Sequence, residues 1–405
     1  MTKNTQYIPT GYKPSPLGLI PEDWEVKRLG EVGEVFSGGT PNTEIQEYWN
    51  GYIDWCTPTD ITSLNGAIYI ERTALKITDL GLKCSSAVLL PPNSIIVCTR
   101  ATIGNAAISL HQITTNQGFK NVVPSKSIDT LFLYYTIVNN KIRLIRLGNG
   151  STFLEVSKSD FENLTIPVPP LSEQQRIVSI LSLWDTAIEK QIALIEKFTL
   201  RKRGLMQQLL TGKKRLKDFS GEWKEVRLGD VALITMGQSP DSKYYNEIGF
   251  GLPLIQGNAD IQDRKSIQRI WTSSITKTCE SGDIIMSVRA PVGEIERETQ
   301  KSCIGRGVCA IRNTGIKKEY LYQLLLFEED SWKNIEQGGT FTAINSNEIK
   351  KKTLVLPTTD EQTAIASVLV NADKEIELAN EKLARMQAEK RGLMQVLLTG
   401  KKRVR

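Results

Sequence analysis

The chain has 405 residues, which allows two to four domains at roughly 100–200 residues each. Hydrophobic residues make up 40% and the net charge is only +6, so an intrinsically disordered chain is excluded. With a lone histidine, His111, two-histidine metal sites are excluded, and a Ser-His-Asp or Cys-His centre can occur once at most.

In chain order, residues 1–21 are polar and rich in Pro and Gly, without the apolar run of a signal peptide. Trp24 opens a segment that runs through Arg28-Leu29-Gly30 to Val32. The Ser37-Gly38-Gly39-Thr40-Pro41 turn is expected to expose backbone N–H groups and hydroxyls suited to phosphate. Residues 88–98 read as a turn entering a strand, with further short strands at 106–110 and 121–123. Residues 131–140 are apolar and helical in character. Past Pro167-Val168-Pro169-Pro170, Ser172 and Gln175 have capping-box spacing, and a long helix is expected. Its apolar stripe is Ile177, Leu181, Trp184, Ile188, Ile195, Phe198, Leu205 and Leu209, interrupted by Gln191 and Lys202. Thr211-Gly212 stops it.

The rest of the chain repeats this plan. Residues 203–215 recur at 391–403 with one difference, Gln208 against Val396. The same offset of 188 holds back to Gly150 against Gly338, through Thr152-Phe153 against Thr340-Phe341 and Glu173-Gln174 against Glu361-Gln362. Upstream, Trp24 to Val32 matches Trp223 to Val231, and Gly38 and Pro41 match Gly237 and Pro240. Asp60-Ile61 matches Asp260-Ile261, and Arg100-Ala101 matches Arg289-Ala290. Strands are expected at 279–287 and 308–311 and a helix at 320–326, so each middle is a mixed α/β domain. The second stripe is Ile365, Leu369, Ala372, Ile376, Ala379, Leu383, Met386, Leu393 and Leu397, interrupted by Lys390 and stopped by Thr399-Gly400. A seven-residue period in both copies indicates two helices, each about 60 Å long, packed as an antiparallel coiled coil with pseudo-two-fold symmetry. Gly204 and Gly392 cost about 1 kcal/mol each relative to Ala and are expected to mark a close approach or a break.

Enzyme signatures are missing. There is no Gly-x-x-x-x-Gly-Lys-Ser/Thr run and no Gly-x-Gly-x-x-Gly after a strand. Asn149-Gly150 and Gly305-Arg306-Gly307 read as structural turns, and His111 as a surface or satisfied polar residue. Pro240-Asp241 and Glu348-Ile349-Lys350 carry the letters of a metal-nuclease motif in turn-like and helical contexts far apart in sequence, so no metal site is expected. The cysteines at 56, 84, 98, 279, 303 and 309 form no Cys-x-x-Cys pair, which points to reduced thiols in a cytoplasmic protein. No run of about 18 uncharged apolar residues predicts a membrane span.

The residues point instead to duplex DNA. Arg reads guanine, Asn and Gln read adenine, and Lys, Ser and Thr hold phosphates. Candidate contacts are Thr40, Arg100, Asn116, Gln117 and Lys120 in the first copy, and Gln238, Ser239, Lys243, Arg289, Arg306 and Arg312 in the second. The end of the first helix is basic at Lys197, Arg201, Lys202, Arg203, Lys213, Lys214, Arg215 and Lys217. Two different DNA-facing domains on one chain suit a non-palindromic, split target.

The order of these features, given twice, resembles the specificity subunit of type I restriction-modification enzymes over nearly the whole chain. The matching pieces are the Trp…Arg-Leu-Gly-Glu/Asp-Val openings, the Gly…Pro turns and the Ile-Ile-x-x-x-Arg-Ala strands. The Pro-rich stretches before Glu-Gln and the Arg-Gly-Leu-Met-Gln helix ends match as well. The resemblance implies a non-catalytic subunit with target-recognition domains at 1–168 and 217–356, and conserved long helices at 169–216 (the spacer) and 357–405. It also implies two docked methyltransferase subunits, with motor-nuclease restriction subunits joined through them. S-adenosylmethionine, ATP and Mg²⁺ would then belong to those partners and no cofactor to this chain. A stand-alone nuclease, a protein scaffold and the specificity subunit of a modification-only complex are the alternatives.

Overall fold

The structure, a computed structural model, describes residues 8–148, 154–262, 264–332 and 343–404. Asn149-Gly150, Thr152-Phe153, Gly338 and Thr340-Phe341 lie outside the described residues. The chain divides into two compact units, one of residues 1–190 with 383–405 and the other of residues 191–382. No helix among the described residues is long and apolar enough to cross a membrane.

The first unit is built on a five-stranded sheet in the order Gly33–Ser37, Phe119–Pro124, Ile95–Cys98, Ala106–Ser109, Tyr69–Ile70. Ile95–Cys98 is buried along its whole length, as a β-branched run covered on both faces should be. A smaller sheet joins Thr114–Thr115, Trp49–Cys56 and Leu75–Ile77. Helix Thr130–Asn139 is capped by the Asp129 side chain and buries Phe132, Leu133 and Tyr135 against the larger sheet's core. Glu25–Arg28 pairs antiparallel with Thr165–Val168 and delivers the chain to the long helix.

The second unit repeats the plan. Its main sheet runs Ala232–Met236, Val308–Asn313, Ile284–Ser287, Ile295–Arg297, and helix Lys318–Phe327 packs on it. A second, five-stranded sheet centres on Leu252–Ile255 and Ser302–Ile304. Lys224–Arg227 pairs with Thr353–Leu356 ahead of the second long helix.

The long helices are Leu171–Leu209 and Thr359–Leu397, 39 residues each. Both stop at a glycine in the left-handed region, Gly212 at φ 69° and Gly400 at φ 71°, as the sequence predicts. Two local expectations fail. The Ser172–Gln175 capping box does not form, because the helix already begins at Leu171 and Pro170 O accepts from the N–H groups of Glu173 and Gln174. Proline, lacking an N–H and fixed in φ, is suited to that first turn. Gly204 and Gly392 mark neither a break nor a close approach, since both helices run through them and a Cβ at either would meet open space.

Within each unit, one helix's N-terminal half lies against the other's C-terminal half, so the helices run antiparallel. In the first unit Ile177 and Leu181 share a core with Met394, Leu397 and Leu398. In the second, Ile365 and Leu369 share one with Leu209 and Leu210. The residues that interrupt the stripes are partnered. Lys390 forms an ion pair with Asp185, and Lys202 pairs with Asp373 at 2.5 Å. These are the same contact in the two copies, 188 residues apart. Buried Gln191 donates to Ala379 O at 2.9 Å, the residue 188 positions on that is its own counterpart in the repeat.

Each copy's helix end therefore completes the other copy's domain. Arg403 binds Glu173 at 2.6 Å and Asp23 at 2.8 Å, while Trp24 Nε1 donates to the same Glu173 at 3.0 Å. In the second unit Arg215 chelates Glu361 at 2.6 and 2.7 Å and stacks over Trp223. Gln174 and Gln362 lock the shorter helices in place, accepting from the N–H groups of Asp129 and Lys317 at 2.8 and 3.0 Å. This accounts for the repeated Glu-Gln pair.

Two predictions follow from this packing. Leu209→Ala should cost about 2–4 kcal/mol and lower hydrogen-exchange protection in residues 224–356, whereas Leu397→Ala should do so in residues 25–168. Loss of protection in the sheet of the mutated residue's own copy would contradict the exchange. In the second unit, Glu296 is fully buried with both carboxylate oxygens unpartnered, and burial followed by the charges of Glu298 and Asp260 pushes its pKa from 4.5 to about 8. A raised carboxyl favours folding below 4.5 and loses that contribution as pH climbs to about 8. Glu296→Gln should therefore raise the unfolding midpoint more at pH 8 than at pH 5, and an equal shift at both would contradict a neutral, buried Glu296.

Candidate nucleic-acid interface

At one end of the first unit's sheets, three loops converge. Gly39 N donates to Thr115 O at 2.8 Å, Thr99 N to Gly118 O at 2.8 Å, and Gly118 N to the Asn116 side chain at 2.9 Å. Thr40 Oγ1 is hydrogen-bonded to Gln117 Oε1 across the gap. Thr40, Arg100, Asn116 and Gln117, drawn from three separated stretches, are thus neighbours. A Cβ on Gly38 would lie 1.9 Å from Asn116 O, so only glycine lets the loops approach this closely.

The second unit builds the same frame. Gln238 N donates to Ile304 O at 2.8 Å, Val288 N to Gly307 O at 2.9 Å, and Arg306 N to Ser239 Oγ at 3.0 Å. A Cβ on Gly237 would lie 2.1 Å from Gly305 O. Gln238, Ser239, Arg289 and Arg306 share this end, and Gln238, Arg289 and Arg306 are exposed. Lys243 is exposed nearby in sequence, paired with Asp241 at 3.2 Å and lying over the Tyr244 ring.

Several expectations change here. In the two Gly turns the N–H groups of Gly38, Gly39, Gly237 and Gln238 are not free for phosphate, because they are used between loops. Lys120 is not an open phosphate contact. It is 5% exposed in its strand and pairs with Glu155 at 3.3 Å. Arg312 sits near the far end of strand Val308–Asn313 from the 304–307 loop, held by both oxygens of Asp283 at 2.7 and 2.8 Å. The basic cluster at the first helix end is partly neutralised, with Arg201, Lys202 and Arg215 paired to Glu375, Asp373 and Glu361. His111 is exposed, and all six cysteines are free, with Cys84 alone exposed.

The residues that hold the frame were harder to see in sequence. Buried Asp60 accepts from Thr57 N at 2.7 Å and Ala74 N at 2.9 Å, tying loops behind the cluster. Its counterpart Asp260 accepts from Gln256 N at 2.7 Å and from Arg269. Their recurrence in both copies was the available signal. Glu155 had none, because its counterpart is Ala343. Among the described residues no group of three His, Cys, Asp or Glu side chains is arranged to hold a metal ion.

Comparison with known proteins agrees with this architecture. The family model described as the type I restriction modification DNA specificity domain matches residues 21–197 and 220–388. The type I restriction enzyme MjaIX specificity subunit of Methanocaldococcus jannaschii is 35% identical over 253 residues, covering 59% of this chain and 58% of that relative. The MjaVIII specificity subunit of the same organism is 25% identical over 95% of this chain and 94% of its own length. A chain from a structure of type I restriction-modification complex assembly superposes with a TM-score of 0.65 at 27% identity, covering 94% of this chain and 99% of that one. The S subunit structure from M. genitalium, 16% identical with a TM-score of 0.54 and covering 93% of this chain and 96% of its own, shares the fold. With both copies matched by the family model, this chain belongs to the type I restriction-modification DNA specificity family, whose members are in general non-catalytic.

Proposed function

We propose that the chain reads a bipartite, non-palindromic duplex, one half-site at each loop cluster, within a type I restriction-modification complex. One observation carries this reading. The two clusters share a backbone frame yet present different side chains, Thr40, Arg100, Asn116 and Gln117 against Gln238, Ser239, Arg289 and Arg306. A common frame with different readers suits two unlike half-sites, whereas identical readers would suit a palindrome. The long helices act as the spacer, and their outer faces dock two methyltransferase subunits, which bring restriction subunits with them. S-adenosylmethionine, ATP and Mg²⁺ are then the partners' cofactors. DNA as the target and the free cysteines support a cytoplasmic setting. Membership of the family leaves the stand-alone nuclease, the scaffold and the modification-only subunit without a supporting observation.

Co-expression with the methyltransferase followed by genome-wide mapping of methylated sites tests the proposal. Replacing residues 1–165 by the equivalent segment of a relative should change one half of the target and keep the other. Arg289→Ala should cost roughly 1–3 kcal/mol, confined to the second half-site. Unsplit sites, or both halves changing together, would refute it.

A further inference from the structure

The two loop clusters differ in a charge pair beside the arginine loop. In both units the backbone ahead of the last strand, Thr165–Val168 or Thr353–Leu356, is tied to the arginine loop by the same hydrogen bond, Val156 N to Thr99 O at 3.1 Å and Ile344 N to Val288 O at 3.0 Å. The residue before that bond is Glu155 in the first unit and Ala343 in the second. Glu155 binds Arg100 at 2.6 Å and Lys120 at 3.3 Å. In the sheet register, Lys120 pairs with Val97 and Ser37, and Cys309 pairs with their counterparts Met286 and Met236. The Lys120–Glu155 pair of the first unit is thus replaced by the uncharged Cys309 and Ala343 in the second. Among the described residues no carboxylate pairs with Arg289.

We propose that Glu155 is a positioning residue that sets the selectivity of the first half-site by holding Arg100 away from phosphate. The inference rests on Arg100 facing DNA, as proposed above. Buried Lys120 neutralises one side of the carboxylate, and Arg100 is held on the other. Burial pushes the Glu155 carboxyl up, but the Arg100 hydrogen bond and the Lys120 charge outweigh it, so its pKa lies below the ordinary 4.5 and it is ionised at neutral pH. A phosphate approaching Arg100 must compete with this carboxylate and is repelled by it. A guanine edge, neutral and bidentate, gains Arg100 without that repulsion. The carboxylate therefore penalises random duplex more than the correct base, a repulsive element that raises discrimination. Arg289, beside Ala343, has no such restraint among the described residues.

The test uses the full chain with its methyltransferase and two probes, a random-sequence duplex and a duplex carrying the mapped target. Glu155→Gln should raise affinity for random duplex about three- to tenfold, with a smaller gain on the target, so discrimination falls. Because Glu155→Gln leaves Lys120 buried without its counter-ion, a second variant combines Lys120→Cys with Glu155→Ala, importing the other unit's pair. It should show the same loss of discrimination, and in an Arg100→Ala background neither change should alter discrimination. Unchanged discrimination in a folded double variant, with Arg100→Ala still weakening binding, would overturn this inference alone. Arg100→Ala without effect on either probe would overturn the reading of Arg100 as a DNA contact and this inference with it.

Discussion

The structure depends on the reciprocal capture of helix ends by carboxylates at helix beginnings. Glu173 and Glu361 are almost completely buried, and each is bound by an arginine from the other copy. Removing one partner of such a pair typically costs 3–5 kcal/mol, because the remaining charge stays desolvated. Packing reinforces the pairing, since Leu397 and Leu398 complete the first core and Leu209 and Leu210 the second. Each folded unit therefore uses sequence from both copies. The constraint falls on the helix ends, which are nearly identical, and leaves the loop tips free to differ.

That division explains how one frame can serve two readers. The glycines at 38 and 237, the buried aspartates at 60 and 260 and the arginine-bearing loops form a backbone cradle that both units share. Side chains that project from it carry no comparable packing burden. Exchange of Thr40 for Ser239-like chemistry, or of the Lys120–Glu155 pair for cysteine and alanine together, changes what the surface attracts while the sheet beneath keeps its frame. Discrimination can then reside in attraction, through Arg289, and in repulsion, through Glu155.

Much of this was legible in the sequence, for physical reasons. A seven-residue stripe and an αL glycine are local features, so the two long helices and their ends could be read directly. The interruptions at Gln191, Lys202 and Lys390 looked like defects because their partners, Ala379, Asp373 and Asp185, are remote in sequence. The convergence of Thr40, Arg100 and Gln117 was expected only as loop positions, since nothing local says that three strand ends meet. Lys120 is buried in its strand and Arg312 lies at the far end of its own from the loop cluster, so neither is an open contact there. Residue type gives the charge, but burial and place in the strand decide whether it faces the loop cluster. The Gly turns likewise showed what the backbone could do and not that neighbouring loops already used its N–H groups.

The antiparallel exchange is tested most directly by double-mutant cycles across the helix pair, with each charge replaced by alanine and unfolding followed in denaturant. The account predicts coupling of about 0.5–2 kcal/mol between Asp185 and Lys390 and again between Asp373 and Lys202, with none between Asp185 and Lys202. Coupling of Asp185 with Lys202, or its absence from both cross-copy pairs, would contradict it.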